Sequence, residues 1–310
     1  MGRISPLYPN NNFEIKSLLE VNLMIYEIYK KRHIYLFLLP ALAILIIFGY
    51  YPAVQAFALS FQNDNGIFVG LENFIEIAQD KVLINSVWNM LLLLAVSLVT
   101  SNIPSLLMAE LLCSLRNRKA SDIYRYFFII PMLIPWIVII LVWTNLILEP
   151  NVGLMNAILG LLGLEPLGWM GEINTALASL MLIGFPWIAG TNLLIYIAGI
   201  QGISQGIIEA SVMDGANFIT RFIRIDIPLV LGQIKLLFIL GIIGGIQAFQ
   251  LQLMTTNGDP AYATMVPGLW MYQQAFSYSR FGYSSAIGFI LFIVIFLLST
   301  ISNKYIESEN

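Results

Sequence analysis

Residues 209–228 have the sequence EASVMDGANFITRFIRIDIP, a polar and charged insert between two long apolar runs. An acidic residue, two small residues, an Asp-Gly turn, a basic stretch and a proline follow one another within it. The rest of the chain is strongly apolar: 58% of the 310 residues are hydrophobic and 11% are charged, against about 25% charged in a soluble domain. This contrast predicts an integral membrane protein whose polar insert leaves the lipid.

Six apolar runs are long enough to cross a membrane as helices. About 20 apolar residues span the hydrocarbon, and helices satisfy their own backbone polar groups there. Barrel strands would be short alternating segments, a pattern that this sequence lacks. We therefore expect an all-α polytopic membrane protein with transmembrane helices at about 34–59, 84–112, 126–148, 176–200, 229–251 and 283–303.

The basic residues predict the orientation. All of the 15 Lys and Arg residues except Lys81 and Arg280 fall in the two tails, in the loops after the second and fourth spans, or near those loops. The positive-inside rule places that side, including both termini, in the cytoplasm. An even number of spans leads to the same result.

Three parts are expected along the chain. Residues 1–33 form a cytoplasmic N-terminal tail, 34–303 a transmembrane domain, and 304–310 a cytoplasmic C-terminal tail. The stretch IKSLLEVNLMIYEIYKKRH in the first tail has the spacing of an amphipathic helix on the inner membrane face, and it suits a solvated tail equally well.

The sequence offers no basis for an enzyme. The single cysteine, Cys113, excludes an internal disulfide and a Cys-based zinc cluster. The lone histidine, His33, stands among basic residues and suits a membrane boundary better than catalysis. Lys16 is the only Lys followed by Ser or Thr, and Ile precedes it, so a P-loop is absent. We expect no cofactor or metal in this chain, a lipid bilayer around it, and no nucleic-acid partner.

The residues from Ser204 to Pro228, hereafter the polar segment, contain this insert. The first half of the polar segment is predicted to be a short helix that ends at a turn. Ser204 can cap the helix through its hydroxyl, and Gly215 can supply the left-handed backbone that ends it. An apolar helix surface exposed to the cytosol implies a partner protein. That surface is formed by Ile207, Ile208, Ala210, Ser211, Val212 and Met213.

The second half is predicted to be a basic amphipathic helix. Arg221 and Arg224 are expected to reach lipid headgroups, and Pro228 is expected to begin the fifth span, where its missing N–H group costs nothing. The apolar stripe of this helix consists of Phe218, Phe222 and Ile225.

This polar segment resembles the EAA loop of binding-protein-dependent ABC importer permeases, and in particular their carbohydrate subfamily of maltose-type and glycerol-phosphate-type membrane subunits. GLENF, GLMNAILGLLGL and TTNGDPAYATMVPGLWMYQQAF extend the similarity over about residues 34–303. Ser211 in place of the second Ala, Ser204 in place of a frequent Pro, and Asp259 in place of a Gly are modest departures. The matching loop residues are Glu209, Ala210, Ser211, Asp214, Gly215, Ala216, Phe222, Ile225, Ile227 and Pro228.

The resemblance implies a type I ABC importer permease fold and a place in a bacterial or archaeal cytoplasmic membrane. It implies a second homologous permease subunit, two ATPase subunits that hold ATP and Mg, and an extracytoplasmic solute-binding protein that delivers a sugar or oligosaccharide. A coupling loop at about 201–228 would contact the ATPase. The residues expected to transmit force there are Glu209, Ala210, Ser211, Asp214, Gly215 and Ala216.

A sugar site needs amides and aromatic rings near the bilayer centre. The candidates are Trp187, Asn192, Gln247 and Gln250, each of which could instead pack or hydrogen-bond between helices. Three glycines one or two turns before the glutamines would permit close helix approach. They are Gly241, Gly244 and Gly245.

Two other functions fit the sequence less well. One is an ABC permease for a non-sugar solute. The other is a secondary transporter, which usually has an intramembrane pair of ionisable residues. Glu110 and Lys235 are the candidates for such a pair, and both are expected near the cytoplasmic ends of their helices, where long side chains reach water.

Overall fold

The computed structural model describes residues 30–115 and 117–305, so the predictions for the tail before residue 30 and for 306–310 fall outside it. The chain divides into two compact units, Met1–Ala58 and Leu59–Asn310. The α-helices of the described residues are Arg32–Leu45, Tyr51–Leu59, Glu72–Gln79, Lys81–Ser114, Arg118–Ile129, Trp136–Val142, Leu154–Leu161, Ile173–Leu182, Gly190–Gln201, Gln205–Met213, Phe218–Arg221, Ile227–Leu229, Leu231–Gln247, Gln250–Met254, Pro267–Phe276 and Phe281–Tyr305.

Short segments of other helix types join some of these elements. They have i→i+5 or i→i+3 hydrogen bonds and occur where α-helices bend or end. The π-helical segments are Ile46–Tyr50, Trp143–Ile147 and Phe222–Asp226, and the 3₁₀ segments are Ile130–Leu133 and Trp169–Gly171.

Three helical stretches of the described residues are each long and apolar enough to cross a membrane. They are Arg32–Leu59, Lys81–Ser114 and Phe281–Ser302. Three bent helix pairs raise the number to six if each pair counts as one span, with bends of 89°, 73° and 67°. The all-α class predicted from the sequence is confirmed. Some of the six apolar runs, however, do not form one continuous helix.

The third predicted span, 126–148, is broken rather than continuous. The chain bends by 89° between Arg118–Leu133 and Trp136–Ile147. Pro135 lies at the break, and the residue before it, Ile134, has an extended backbone. A proline disfavours helical geometry in the residue before it, so the sequence itself explains this interruption.

The fourth predicted span, 176–200, is also interrupted. One helix ends at Leu182 and the next begins at Gly190. Between them Gly184 and Trp187 have positive φ angles of 93° and 58°, a left-handed conformation that no helix contains. The expectation of one uninterrupted helix here is wrong.

The fifth predicted span, 229–251, has different limits in the structure. Pro228 belongs to the three-residue helix Ile227–Leu229. The helix Leu231–Gln247 begins only after a kink at Val230. That helix ends at Gln247, and a short helix starts at Gln250. Contrary to the prediction, Pro228 therefore does not begin the helix Leu231–Gln247 but lies just before the kink that precedes it.

The helix Lys81–Ser114, hereafter the long helix, is the centre of the second unit. Helices Gly190–Gln201 and Leu231–Gln247 pack along it. A Cβ atom at Gly241 would lie 2.6 Å from Leu98, and one at Gly245 would lie 2.5 Å from Leu94. These glycines therefore allow the close approach predicted for them, whereas Gly244 faces open space.

Asp80 organises one end of the long helix. Its Oδ1 accepts from the backbone N–H groups of Val82 and Leu83 at 2.9 and 3.1 Å, which caps the helix. Its Oδ2 accepts from Trp270 Nε1 at 2.7 Å and from the Tyr283 hydroxyl at 2.6 Å. One carboxylate thus joins the long helix to two later helices.

Buried asparagines hold the loops outside the long helices. Asn73, in the GLENF stretch, donates to the carbonyls of Ser60 and Gln62 at 2.9 and 2.8 Å. Asn156 accepts from Trp169 Nε1 at 3.0 Å and donates to the carbonyl of Pro150 at 2.7 Å. The second of these loops contains the short helix Leu154–Leu161 that its apolar sequence predicts.

Candidate functional site

The helix Gln205–Met213, hereafter the loop helix, lies in the polar segment and is bent by 73° from the helix before it. It ends as predicted: Gly215 has a φ angle of 76°. The N–H of Gly215 donates to Val212 O and that of Ala216 to Ser211 O, both at 3.0 Å. This pair of bonds satisfies carbonyls that the end of the helix would otherwise leave free.

The two serines of the loop helix behave differently from their predicted roles. Ser204 occupies the N-cap position, but its hydroxyl makes no capping hydrogen bond, so the capping prediction is wrong. Ser211 is buried, and its hydroxyl donates to Ile208 O at 2.6 Å. Ser211 therefore faces the rest of the chain.

One face of the loop helix is not covered by the described residues of the chain. Val212 is 62% exposed and Met213 is 86% exposed. Among the predicted force-transmitting residues, Ala216 is half-buried, and the exposed ones are Glu209, Ala210, Asp214 and Gly215. Large apolar side chains left open in this way indicate a surface that another molecule covers.

Arg221 is not free for lipid headgroups, which corrects the prediction made for it. Its Nη2 donates to Glu110 Oε1 at 2.6 Å and to Ser114 Oγ at 3.0 Å, and its Nε donates to Asp226 Oδ2 at 3.0 Å. Arg224 is exposed, as expected. Glu110 does not reach water either, because it is 1% exposed and forms this ion pair.

The π-helical segment Phe222–Asp226 explains the pairing of Arg221 with Asp226. A π turn closes i→i+5 hydrogen bonds, so residues five apart come to the same side. The α-helical spacing predicted from the sequence would place these two residues on different sides. Phe218 and Phe222 of the predicted apolar stripe do lie together, with their rings nearly parallel and their centroids 6.4 Å apart.

A cavity of about 720 Å³ lies between the base of the loop helix, the last turn of the long helix and the helix Arg118–Ile129. The loop-helix side contributes Gln205 and Ile208, and the side of the long helix contributes Leu112 and Ser114. Arg221 and Asp226 also line it. The loop helix therefore has empty space on one flank.

Each of the four predicted sugar-contacting residues lies in or beside one of two helix breaks, 183–189 and 248–249. Trp187 lies within the break 183–189 and Asn192 in the first turn after it, while Gln247 and Gln250 flank the break after Leu231–Gln247. Irregular backbone at membrane depth is tolerated where it lines a cavity or is buried in protein. The apolar pattern of the sequence did not predict that these residues lie beside helix breaks.

The environments of these four residues differ. Trp187 is half-buried, and its Nε1 donates to Met181 O at 3.2 Å. Asn192 is also half-buried, with its amide 3.3 Å from Ser101 O. Gln247 and Gln250 are exposed. The side chains of Trp187 and Asn192 thus have partners within the chain, and the amide oxygen of Gln250 also accepts from the N–H of Phe249, at 3.4 Å.

Residues 101–309 match the family described as the binding-protein-dependent transport system inner membrane component. The match covers more than half of the chain, so the chain belongs to this family, which comprises the membrane permease subunits of ABC importers. It is a membrane subunit of such a transport system rather than an enzyme.

Two relatives and one solved structure illustrate the family. A probable ABC transporter permease protein, YurN of Bacillus subtilis, is 31% identical over 88% of this chain and 96% of its own length. The arabinooligosaccharides transport system permease protein AraP of the same organism is 30% identical over 89% of this chain and 88% of its own.

The solved structure is the bacterial alginate ABC transporter in complex with its alginate pentasaccharide-bound periplasmic protein. One of its chains superimposes with a TM-score of 0.80 at 21% identity, covering 90% of this chain and 95% of that one. The predicted fold of an ABC importer permease is therefore confirmed.

Proposed function

We propose that this chain is the permease subunit of an ATP-driven importer for a sugar or oligosaccharide, and that the loop helix couples it to an ATPase. The uncovered apolar face at Val212 and Met213 carries the coupling proposal, because it lies on a helix that ends outside the apolar runs. The similarity to a permease for arabinooligosaccharides and to an importer of alginate supports a carbohydrate cargo.

The same proposal includes partners for the other surfaces. Two ATPase subunits would hold ATP and Mg, and a second homologous permease would cover part of the exposed apolar helix surface. An extracytoplasmic solute-binding protein would deliver the cargo, as the periplasmic protein in the alginate complex suggests. Both termini and the loop helix would then face the cytoplasm, in agreement with the distribution of Lys and Arg.

For the cargo, we propose that Gln247 and Gln250 donate hydrogen bonds to sugar hydroxyls, with Trp187 and Asn192 shaping the adjoining break. The amides of the glutamines are exposed beside irregular backbone, where a polar ligand can replace their contacts with water. A non-sugar cargo remains compatible with the same arrangement of amides.

A secondary transporter receives less support. Its candidate ionisable pair was Glu110 and Lys235, yet Glu110 is bound to Arg221. Glu110 thus forms its ion pair with Arg221, at 2.6 Å, and not with Lys235, so the intramembrane pair that a secondary transporter would need is not formed.

The coupling of the loop helix to an ATPase can be tested by co-expressing the chain with its ATPase subunit and its second permease. The amount of ATPase that co-purifies with the chain is measured. Proline cannot adopt the φ angle of 76° at Gly215 and lacks the N–H that bonds to Val212 O. We expect Gly215→Pro to leave the permease inserted but to lose the ATPase.

A second variant, Met213→Asp, leaves the helix end intact and adds a charge to the apolar face. We expect it also to lose most of the ATPase. The matched control is Val152→Asp, which places the same charge on a side chain that is 85% exposed in a different loop. Wild-type amounts of ATPase with both loop variants would refute the coupling proposal.

A further inference from the structure

Three residues outside the predicted coupling set connect the segment after the loop helix to the long helix. Glu110 and Ser114 lie one turn apart near the end of the long helix, and Arg221 lies six residues after Gly215. Ser114 Oγ donates to Glu110 Oε1 at 3.0 Å, the same oxygen that Arg221 binds at 2.6 Å. This is the direct polar connection between the two segments.

The charges of this cluster make the connection difficult to break. The side chains of Glu110 and Asp226 are 1% and 3% exposed, and both depend on one guanidinium that is 21% exposed. Glu110 Oε2 has no hydrogen-bond partner among the described residues. Removing the guanidinium would leave two buried carboxylates without a cation, a strongly unfavourable state.

Packing around the loop helix is uneven. On the Arg221 side, two charge-assisted contacts, to Glu110 and Ser114, hold the chain against the long helix, and a third joins Arg221 to Asp226. Near Gln205 and Ile208, the cavity of about 720 Å³, which Arg221 also lines, lies between the loop helix, the end of the long helix and the helix Arg118–Ile129. Close-packed or bonded contacts transmit a displacement, whereas empty space does not. A push on the loop helix can therefore reach the long helix through Arg221, in addition to the packing of Gly190–Gln201 along it.

We propose that Glu110 and Arg221 are a positioning pair that transmits movement of the loop helix to the long helix, with Asp226 and Ser114 fixing the guanidinium in place. The proposal rests on the proposed coupling of the loop helix to an ATPase. In this proposal the pair acts through the helices that it joins.

The test uses the complete reconstituted transporter, consisting of both permeases, the ATPases and the solute-binding protein, and measures ATP hydrolysed per solute transported. We expect Arg221→Gln and Glu110→Gln to retain the ATPase subunits and to raise this ratio about 5-fold or more, the lower end for coupling between sites. A residue that only stabilises the fold would lower yield and uptake together and leave the ratio unchanged.

Arg224→Gln is the matched control. Arg224 lies three residues after Arg221, in the π-helical segment Phe222–Asp226, is exposed, and has no ion pair among the described residues. It should keep the wild-type ratio. A wild-type ratio in Arg221→Gln overturns the proposal, and so does an equally large rise in Arg224→Gln.

If the Arg221→Gln protein does not accumulate in the membrane, the Arg221→Lys variant tests the positioning pair instead. Lys keeps the charge but cannot reach Glu110 and Asp226 simultaneously with a rigid fork. A raised ratio supports the positioning pair, and a wild-type ratio overturns it. Failure of the wild-type chain to retain any ATPase would instead contradict the proposed coupling itself, so the two failures are distinguishable.

Discussion

At the scale of single residues, the carboxylate of Asp80 accepts four hydrogen bonds at the start of the long helix. Burial raises the pKa of its carboxyl, but hydrogen bonds from Tyr283, Leu83 N–H, Trp270 and Val82 N–H outweigh burial and hold the pKa below the ordinary value of 3.8. The folded protein therefore prefers the ionised form. The stability that this preference contributes is present above the unfolded pKa and is lost as pH falls through the folded pKa.

Asp80→Asn should reveal this pH dependence. The substitution weakens the acceptor of four hydrogen bonds, and bonds to a charged group are each worth about 1.5–3 kcal/mol. We expect a lower thermal unfolding midpoint in detergent, by a constant amount between about pH 5 and 8 and by less below about pH 4. The reason is that the wild type loses its own advantage when Asp80 is protonated.

Glu165→Gln is the control for this measurement, since Glu165 is exposed and its side chain forms no hydrogen bond or ion pair within the described part of the chain. Its unfolding midpoint should follow that of the wild type at every pH. A difference between Asp80→Asn and wild type that stays constant down to about pH 3 would contradict the role assigned to the carboxylate.

Residue-level predictions succeeded where the local sequence determines the backbone. Asp214-Gly215 predicted the left-handed turn because Gly adopts a positive φ without steric cost. The pairing of Glu110 with Arg221 could not be predicted, because the two are 111 positions apart and meet only through tertiary packing. The π turn that brings Asp226 to Arg221 has no reliable sequence pattern either.

At the scale of helices, the approach of Leu231–Gln247 to the long helix depends on glycine at only some positions. A Cβ at Gly245 would lie 2.5 Å from Leu94 Cδ1, whereas a Cβ at Gly244 would meet nothing within 4 Å. We expect Gly245→Val to lower the free energy of unfolding by about 1–3 kcal/mol, as overpacking does.

Gly244→Val provides the comparison in the same helix. It should change stability by less than about 0.5 kcal/mol, as uncrowded substitutions do. Thermal unfolding of the isolated chain in detergent measures both variants. Equal losses in the two variants would show that valine affects the helix itself and not its contact with the long helix.

Helix positions were predicted well from apolar runs, but helix continuity was not. Hydropathy reports how much of a segment prefers lipid, and it is insensitive to the few residues that break the backbone. Pro135 gives a visible signal for the break in the third run. The break at 183–189 surrounds Pro186, yet the positive φ of Trp187, a bulky residue, is not indicated by the local sequence.

At the scale of the whole molecule, the proposed orientation can be tested with two exposed side chains. With Cys113 changed to Ser, Val152→Cys and Met213→Cys each provide one reactive thiol on a residue that is 85% or 86% exposed. In intact cells, a membrane-impermeant maleimide should label Val152→Cys alone, and Met213→Cys should require permeabilised cells. The reverse result would invert the proposed topology.

The class of the whole molecule was the most predictable property, because a composition of 58% hydrophobic and 11% charged residues leaves few alternatives to a helical membrane protein. The EAA-like loop then narrowed the class to one family. The arrangement of helices around the long helix was not predictable, since it depends on close contacts such as those of Gly241 and Gly245.

The length of the helix Lys81–Ser114 has a mechanical consequence. Its 34 residues form a rod about 51 Å long, while the hydrocarbon layer is about 30 Å thick and tilts above about 40° are unusual. The rod must therefore project beyond the hydrocarbon layer at one end or both. A swing of about 10° about one end would carry the other end by about 9 Å, so a small angular change on one side of the membrane becomes a large displacement on the other.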